Sequence, residues 1–216
     1  MQHSSLGGSI VTAESLLELI RSRRSIRAYA NTPVSRDTLE QVIEAARWAP
    51  SNHNRQGWKF LVFENRDEIK HLAQQTRHFV TNLLAQSNRA LTHQADTLCH
   101  HCGAFDQAPV LILVMHKKPP AMGKALLTHA TGEHACGEII SAAMASQNLL
   151  LAAHAMGLGA CIMTAPLLAG DVWSTLNDLP AGHEPTCLIT LGYPAETPEA
   201  PRRKKPEHIL EFRGPS

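Results

Sequence analysis

QNLLLAAHAMGLGACIMTAP, residues 147–166, packs the end of a helix, its stop and a strand into one short stretch. The helical signal begins upstream near Glu133 and runs to Met156, with Ile139, Ile140, Met144, Leu149, Leu150 and Ala153 at helical spacing among many alanines; it breaks at Gly157. So many small side chains predict close helix packing. Residues 159–163 then read as a short strand, 167–176 as a short helix and 186–192 (TCLITLG) as another buried strand.

Moving toward the N-terminus, 109–116 (PVLILVMH) is almost wholly apolar, the mark of a central strand covered on both faces, and 58–63 (WKFLVF) reads as a second buried strand. Residues 66–75 predict a short helix, and 79–101 a longer, mostly polar helix or lid. Leu16, Leu17 and Ile20 mark an amphipathic helix capped by Thr12 or Ser15, which exits through the basic run RSRRSIR. After the break at Asn31-Thr32-Pro33, Ser35 can cap a further helix with apolar face Leu39, Val42, Ile43 and Ala46, closed by Pro50. Helices and strands alternate irregularly, so the expected class is α+β, helices around a small sheet, and not a doubly wound Rossmann fold.

Composition narrows the function. Lys and Arg total 20 against 19 Asp and Glu, a formal net charge of +1, so no global field draws the chain to nucleic acid or to an anionic membrane, and an anion site must be local. The odd set Cys99, Cys102, Cys136, Cys161 and Cys187 is scattered, which favours reduced thiols and a cytoplasmic setting over a disulfide framework. The opening MQHSSLGGSI has no charged start followed by an apolar run, and no apolar segment nears the roughly 20 residues of a membrane span. Without repeats or composition shifts, a single domain over 1–216 is expected: a core over 12–212, a variable lid or insert over 79–108 and a C-terminal extension over 193–216.

Four stretches carry groups with chemistry. Arg23, Arg24, Ser25 and Arg27 sit at a helix exit; guanidinium forks and a hydroxyl suit a phosphate, although arginines at a helix end also serve simply to offset the dipole. The run Ala49-Pro50-Ser51-Asn52-His53-Asn54-Arg55-Gln56-Gly57-Trp58 precedes a core strand, and its Asn and Gln amides can match the mixed donor and acceptor edge of a heterocycle or merely build a turn. The small residues from Gly157 to Pro166 either let backbone approach a planar ligand or form a helix cap and a turn; the spacing is not that of a dinucleotide fingerprint. Arg202, Arg203, Lys204 and Lys205 form a basic tail. A separate arrangement, Cys99-His100-His101-Cys102 with His93 and Asp96 nearby, offers thiolate and imidazole ligands, but a lone Cys-x-x-Cys pair is incomplete for a structural zinc site and no metal is expected.

RRSIRAY, APSNHNRQGWKF, QNLLLAAHAMGLGACIMTAP and LGYP followed by PRRKKP, taken in that order, resemble the nitroreductase family of flavin-dependent oxidoreductases over about 16–212. The resemblance implies a domain-swapped homodimer with a small mixed β-sheet surrounded by helices and two FMN sites, each built by both subunits. It further implies a ping-pong transfer of reducing equivalents from NAD(P)H to a small electrophilic acceptor, nitroaromatic or quinone-like. By the same resemblance Arg23, Arg24 and Ser25 match phosphate and ribityl contacts. Arg27 matches the cation beside the flavin pyrimidine, where it stabilises charge near N1 and O2. Pro50, Ser51 and Asn52 match the loop that the partner lays against the ring, with Asn54 and Gln56 in the same motif as contacts or as braces. Thr164 and Ala165 match backbone facing N5, and Arg202 with Lys204 match C-terminal cations at the phosphate, Arg203 replacing either if the register slips. Relatives often have Gln-Pro-Trp where this chain has Gln56-Gly57-Trp58, a change that removes a rigid residue from the loop. The alternatives are a flavin-binding relative without NAD(P)H reductase turnover, with a flavin-fragmenting, storage or dehydrogenase role, and, ranked below it, a metal-binding protein through Cys99 and Cys102.

Overall fold

The computed structural model describes residues 11–86, 101–118, 137–176 and 179–214. Helix α1 (Ala13–Ser22) starts at Thr12, whose hydroxyl accepts from the Ser15 amide at 3.1 Å, so of the two candidate caps Thr12 is the one used. Helix α2 (Arg36–Arg47) is capped the same way by Ser35, with Leu39, Val42 and Ala46 on its buried face. Strand β1 (Trp58–Phe63) follows, then α3 (Arg66–Gln86), β2 (Val110–Lys117), α4 (Gly137–Ala155), β3 (Gly159–Met163), α5 (Gly170–Ser174) and β4 (His183–Gly192).

Three expectations are corrected. Residues 66–86 form one helix where a break near 76 was predicted, because Ile69, Leu72, Ala73, Thr76 and Val80 keep one continuous buried stripe through it. The helix predicted over 167–176 is a 3-10 turn at Ala165–Leu168 followed by the five-residue α5, the turn being set by Pro166. Strand β4 begins at His183, three residues before the predicted start. Glu133–Cys136 and residues 87–100, parts of the predicted long helix and lid, lie outside the described residues.

The strands are ordered β1-β2-β4-β3 and pair antiparallel throughout; the parallel component of the expected mixed sheet is a single bridge from Ser25 to Ala160. Central β2 is buried from Val110 to His116, and its alternate residues enter two cores. Val110, Ile112 and Val114 meet α2 and α4, while Leu111, Leu113 and Met115 meet α3, Phe105 and Trp173. Helices thus cover both faces, which is why the strand reads as an unbroken apolar run. Each fully buried aliphatic side chain in these cores contributes about 1.5–3 kcal/mol.

Helix α4 ends as its sequence dictates. Gly157 takes φ +76°, the Leu158 amide donates to the Ala153 carbonyl at 2.8 Å and the Gly157 amide to the His154 carbonyl at 3.0 Å, the two bonds of a Schellman cap. The turn feeds β3 directly. At its first residue, Gly159, a Cβ would lie 2.7 Å from Ile26, so the chain at 25–26 lies flush on this strand because residue 159 has no side chain.

Candidate active site

The basic segment is an added edge of the sheet. Arg23 caps α1, and Arg24 folds back so that its guanidinium donates to the Arg21 and Arg23 carbonyls at 2.6 and 2.9 Å. Ser25 then bridges Ala160, the Ile26 amide donates to the Ala160 carbonyl at 3.1 Å, and Ile26 is buried. On its other side the segment is tied to the chain leaving β4: the Ala30 amide donates to the Tyr193 carbonyl at 2.8 Å and the Ala195 amide to the Ala28 carbonyl at 2.9 Å. Alternation along the extended chain groups Ser25 and Arg27 around the buried Cys161 thiol, with Arg23 also close. Burial pushes that thiol up, against the pull of Arg27.

Glu196, which no sequence motif singled out, joins the N- and C-terminal halves here. One carboxylate oxygen accepts from the backbone amides of Arg27 and Ala28 at 2.5 and 3.0 Å, and these two bonds hold its carboxyl below the usual range. The Arg27 backbone is thereby fixed while its guanidinium stays exposed. Tyr29 locks the next turn, its hydroxyl lying 2.5 Å from the Ile26 carbonyl and 2.6 Å from Thr190 Oγ1, and burial raises the phenol. Among the described residues no carboxylate pairs with the guanidinium of Arg23, Arg24 or Arg27.

The polar loop takes a different form. Asn52–Asn54 is a 3-10 turn in which His53 and Asn54 have φ of 50° and 51°, and Gln56 has φ of 49°. Left-handed conformations in residues other than glycine cost about 1–2 kcal/mol each, so the loop must be held. The Gln56 amide donates to Ser51 Oγ and the Asn52 amide to Ser141 Oγ, each at 3.0 Å. The side chains of Asn54 and Gln56 bond each other at 3.3 Å. Pro50 is exposed at the start of the loop, and Ser51 is half-buried.

Thr164 and Ala165 leave β3 at the end opposite the Ser25 bridge. Thr164 is exposed, and the Ala165 carbonyl accepts from the Cys102 thiol at 3.3 Å. In the tail, Arg202, Arg203 and Lys204 are exposed, and Lys205 pairs with Glu207 at 3.5 Å. Arg202 lies six residues beyond the anchored Glu196, a reach of about 20 Å in extended chain. Cys99, His100, His93 and Asp96 of the other ligand cluster lie outside the described residues. An open cavity of 730 Å³ between α3 and α5, lined in part by His78, Phe79 and Val172, shares none of the predicted site residues.

Helix α4 separates the two halves. Ser22 Oγ sits 2.9 Å from His154 near its C-terminal end, beside the arginines, whereas Gly137, Glu138 and Ser141 at its N-terminal end hold the loop. The sixteen steps from 138 to 154 of one continuous helix span about 24 Å. One chain therefore keeps its cations and its polar loop apart. Leu16, Leu17 and Ile20 of α1, Ile139 and Ile140 of α4 and Phe212 of the tail are large apolar side chains left exposed. No helix among the described residues is long and apolar enough to cross a membrane.

The profile of the nitroreductase family matches residues 20–193. Over 195 residues the chain is 29% identical to a Methanothermobacter thermautotrophicus protein named as a candidate NADH dehydrogenase/NAD(P)H nitroreductase, covering 87% of this chain and 82% of that one. It is 27% identical over 214 residues to iodotyrosine deiodinase 1 of Rattus norvegicus, covering 92% of this chain and 69% of the relative. Among solved structures, a candidate nitroreductase in complex with FMN from Desulfovibrio desulfuricans superposes with a TM-score of 0.65 at 29% identity, over 94% of this chain and all of that one.

Proposed function

This chain belongs to the nitroreductase family, and from that premise we propose that it binds FMN between two copies of itself and passes electrons from NAD(P)H to a small electrophile by a ping-pong cycle. The observation that carries the reading is the set of guanidinium groups laid along β3 without carboxylate partners among the described residues. Such a donor set fits a phosphorylated ligand. The redox chemistry is supplied by FMN when bound, which takes reducing equivalents from the nicotinamide and gives them to the acceptor.

In this reading Arg23, Arg24 and Ser25 hold the phosphate and ribityl chain, joined by Arg202 and Lys204 of the tail. Arg27, its backbone fixed by Glu196, places a cation where negative charge develops near N1 and O2 of the ring. Thr164 and Ala165 supply backbone near N5. Pro50, Ser51 and Asn52 come from the second protomer, because α4 keeps a chain's own loop about 24 Å from its own arginines. The exposed isoleucines near the N-terminal end of α4 support the same pairing. A cytoplasmic homodimer acting on a small molecule, without nucleic acid or membrane, is the corresponding assembly.

The test starts from purified protein: it is yellow, and NADH or NADPH bleaches it without oxygen, colour returning on addition of a nitroaromatic or a quinone. Colourless protein that refuses added FMN sinks the reading. The likeness to iodotyrosine deiodinase 1 favours a second one, reductive removal of halide from a halogenated phenol. Halide release by the anaerobically reduced protein, with no turnover of nitroaromatics or quinones, would select it.

A further inference from the structure

Glu138 occupies the first turn of α4, where a carboxylate ordinarily just complements the helix dipole. Here it is 6% exposed and turned into the polar loop. Its Oε1 accepts from Asn52 Nδ2 at 3.4 Å and faces Arg55 Nη1 at 3.5 Å. Its Oε2 is buried without a hydrogen-bond partner among the described residues and stands 2.8 Å from where a Cβ on Gly57 would lie. A buried carboxylate with an unsatisfied oxygen is costly. The same loop carries left-handed backbone at His53, Asn54 and Gln56, a second local cost. Proline at 57 would disfavour the left-handed Gln56 that precedes it, and any side chain there would press on Oε2.

We propose that Glu138 is the positioning residue of the ring-facing loop: its carboxylate, admitted by the missing side chain at Gly57, clamps Asn52 and Arg55 and so holds the left-handed backbone of His53, Asn54 and Gln56. Glycine at 57 does not loosen the loop in this chain. It makes room for the clamp. The flavin consequence rests on the function proposed above, whereas the loop consequence does not.

The experiment reads both. Amide hydrogen exchange of the peptide covering 51–57 in flavin-free dimer should rise about tenfold in Glu138→Ala and in Gly57→Ala, with β2 unchanged. Glu138→Gln, which keeps an acceptor oxygen for Asn52, should restore exchange to within about threefold of the parent. If Glu138→Ala does not fold, Glu138→Gln and Gly57→Ala carry the exchange test alone. FMN affinity should fall about tenfold in each alanine variant, and the double variant should be no worse than either single one, because both remove the same clamp. Parent-like exchange at 51–57 in Glu138→Ala and Gly57→Ala overturns the proposal, as do affinity losses that multiply in the double variant. A parent protein that binds no FMN at all defeats the function reading while leaving the exchange test standing.

Discussion

The two ends of α4 are built on opposite principles. At the C-terminal end, cations and hydroxyls are laid out on a firmly tied backbone, with Arg23, Arg24 and Arg27 finding no acidic partner among the described residues. At the N-terminal end the backbone itself is unfavourable, with left-handed residues held by a buried carboxylate and by Ser141. The charge is tolerated because Arg27 stays in water and the Arg24 guanidinium donates to the Arg21 and Arg23 carbonyls, and guanidinium groups of this kind suit an anion. Strain in the loop is tolerated because the scaffold over-determines it. One helix holds the two ends apart.

In the proposed dimer two copies exchange ends, and the largest expected effect comes from preventing that. Ile139 and Ile140 are 40% and 54% exposed in a single chain and flank Glu138. Replacing both with Asp should give a folded monomer in sedimentation, with FMN affinity lowered on the order of a hundredfold, because buried charge at an interface core is among the costliest changes. A monomeric variant that binds FMN as the parent does would mean that one chain completes the site, and the exchange of ends would be refuted.

A smaller effect separates binding from chemistry at the cationic end. Arg27→Gln keeps the backbone bonds to Glu196, which use main-chain amides, and removes only the guanidinium charge. Flavin reduction by NAD(P)H should slow by about ten- to a hundredfold while FMN stays bound. An unchanged rate in anaerobic stopped-flow would take from Arg27 its role beside the ring.

Much of this was legible in the sequence, but not evenly. Strands at 58–63 and 159–163 are found where their apolar runs lie, although both are outer strands of the sheet, with Lys59 and Ile162 exposed; burial on both faces belongs to β2, whose unbroken apolar run is the clearest signal. The break imagined near 76 in α3 came from polar residues such as Gln74, Gln75 and His78, which face water on a helix whose other side stays buried. The basic segment and β3 were separate motifs in the sequence and prove to be neighbours through the Ser25 bridge. What stayed hidden were the fasteners. Glu196 and Glu138 are single carboxylates with no pattern around them, and only tertiary proximity gives them partners. One signal was available: Glu138 opens a helix otherwise filled with Ala, Ile, Leu and Ser, and a lone acid entering an apolar helix calls for a partner.

The finest distinction between the two ends lies in His154, next to the arginines. Burial is the main cause that lowers its pKa, with Arg23 and then Arg24 adding to it, so it is held neutral below the ordinary value of about 6.5. A depressed folded pKa gives stability that is whole above that value and is lost as pH falls through the folded value. Ligand-free protein should therefore lose some stability below about pH 6.5, and His154→Asn should remove that share of the loss. An anion seated on Arg23 and Arg24 eases protonation, since it cancels the two cations that oppose it while the larger cause, burial, remains. FMN binding should then draw a proton onto His154, and affinity should gain about twofold to threefold between pH 7.5 and 5.5 relative to His154→Asn. The phosphate of FMN titrates near pH 6 in its own right, so only the difference between the two proteins, measured by titration calorimetry in buffers of unlike ionisation enthalpy, reports the histidine. Identical proton uptake by both would place His154 outside the field of the bound phosphate and make its contact with Ser22 a purely structural link between α1 and α4.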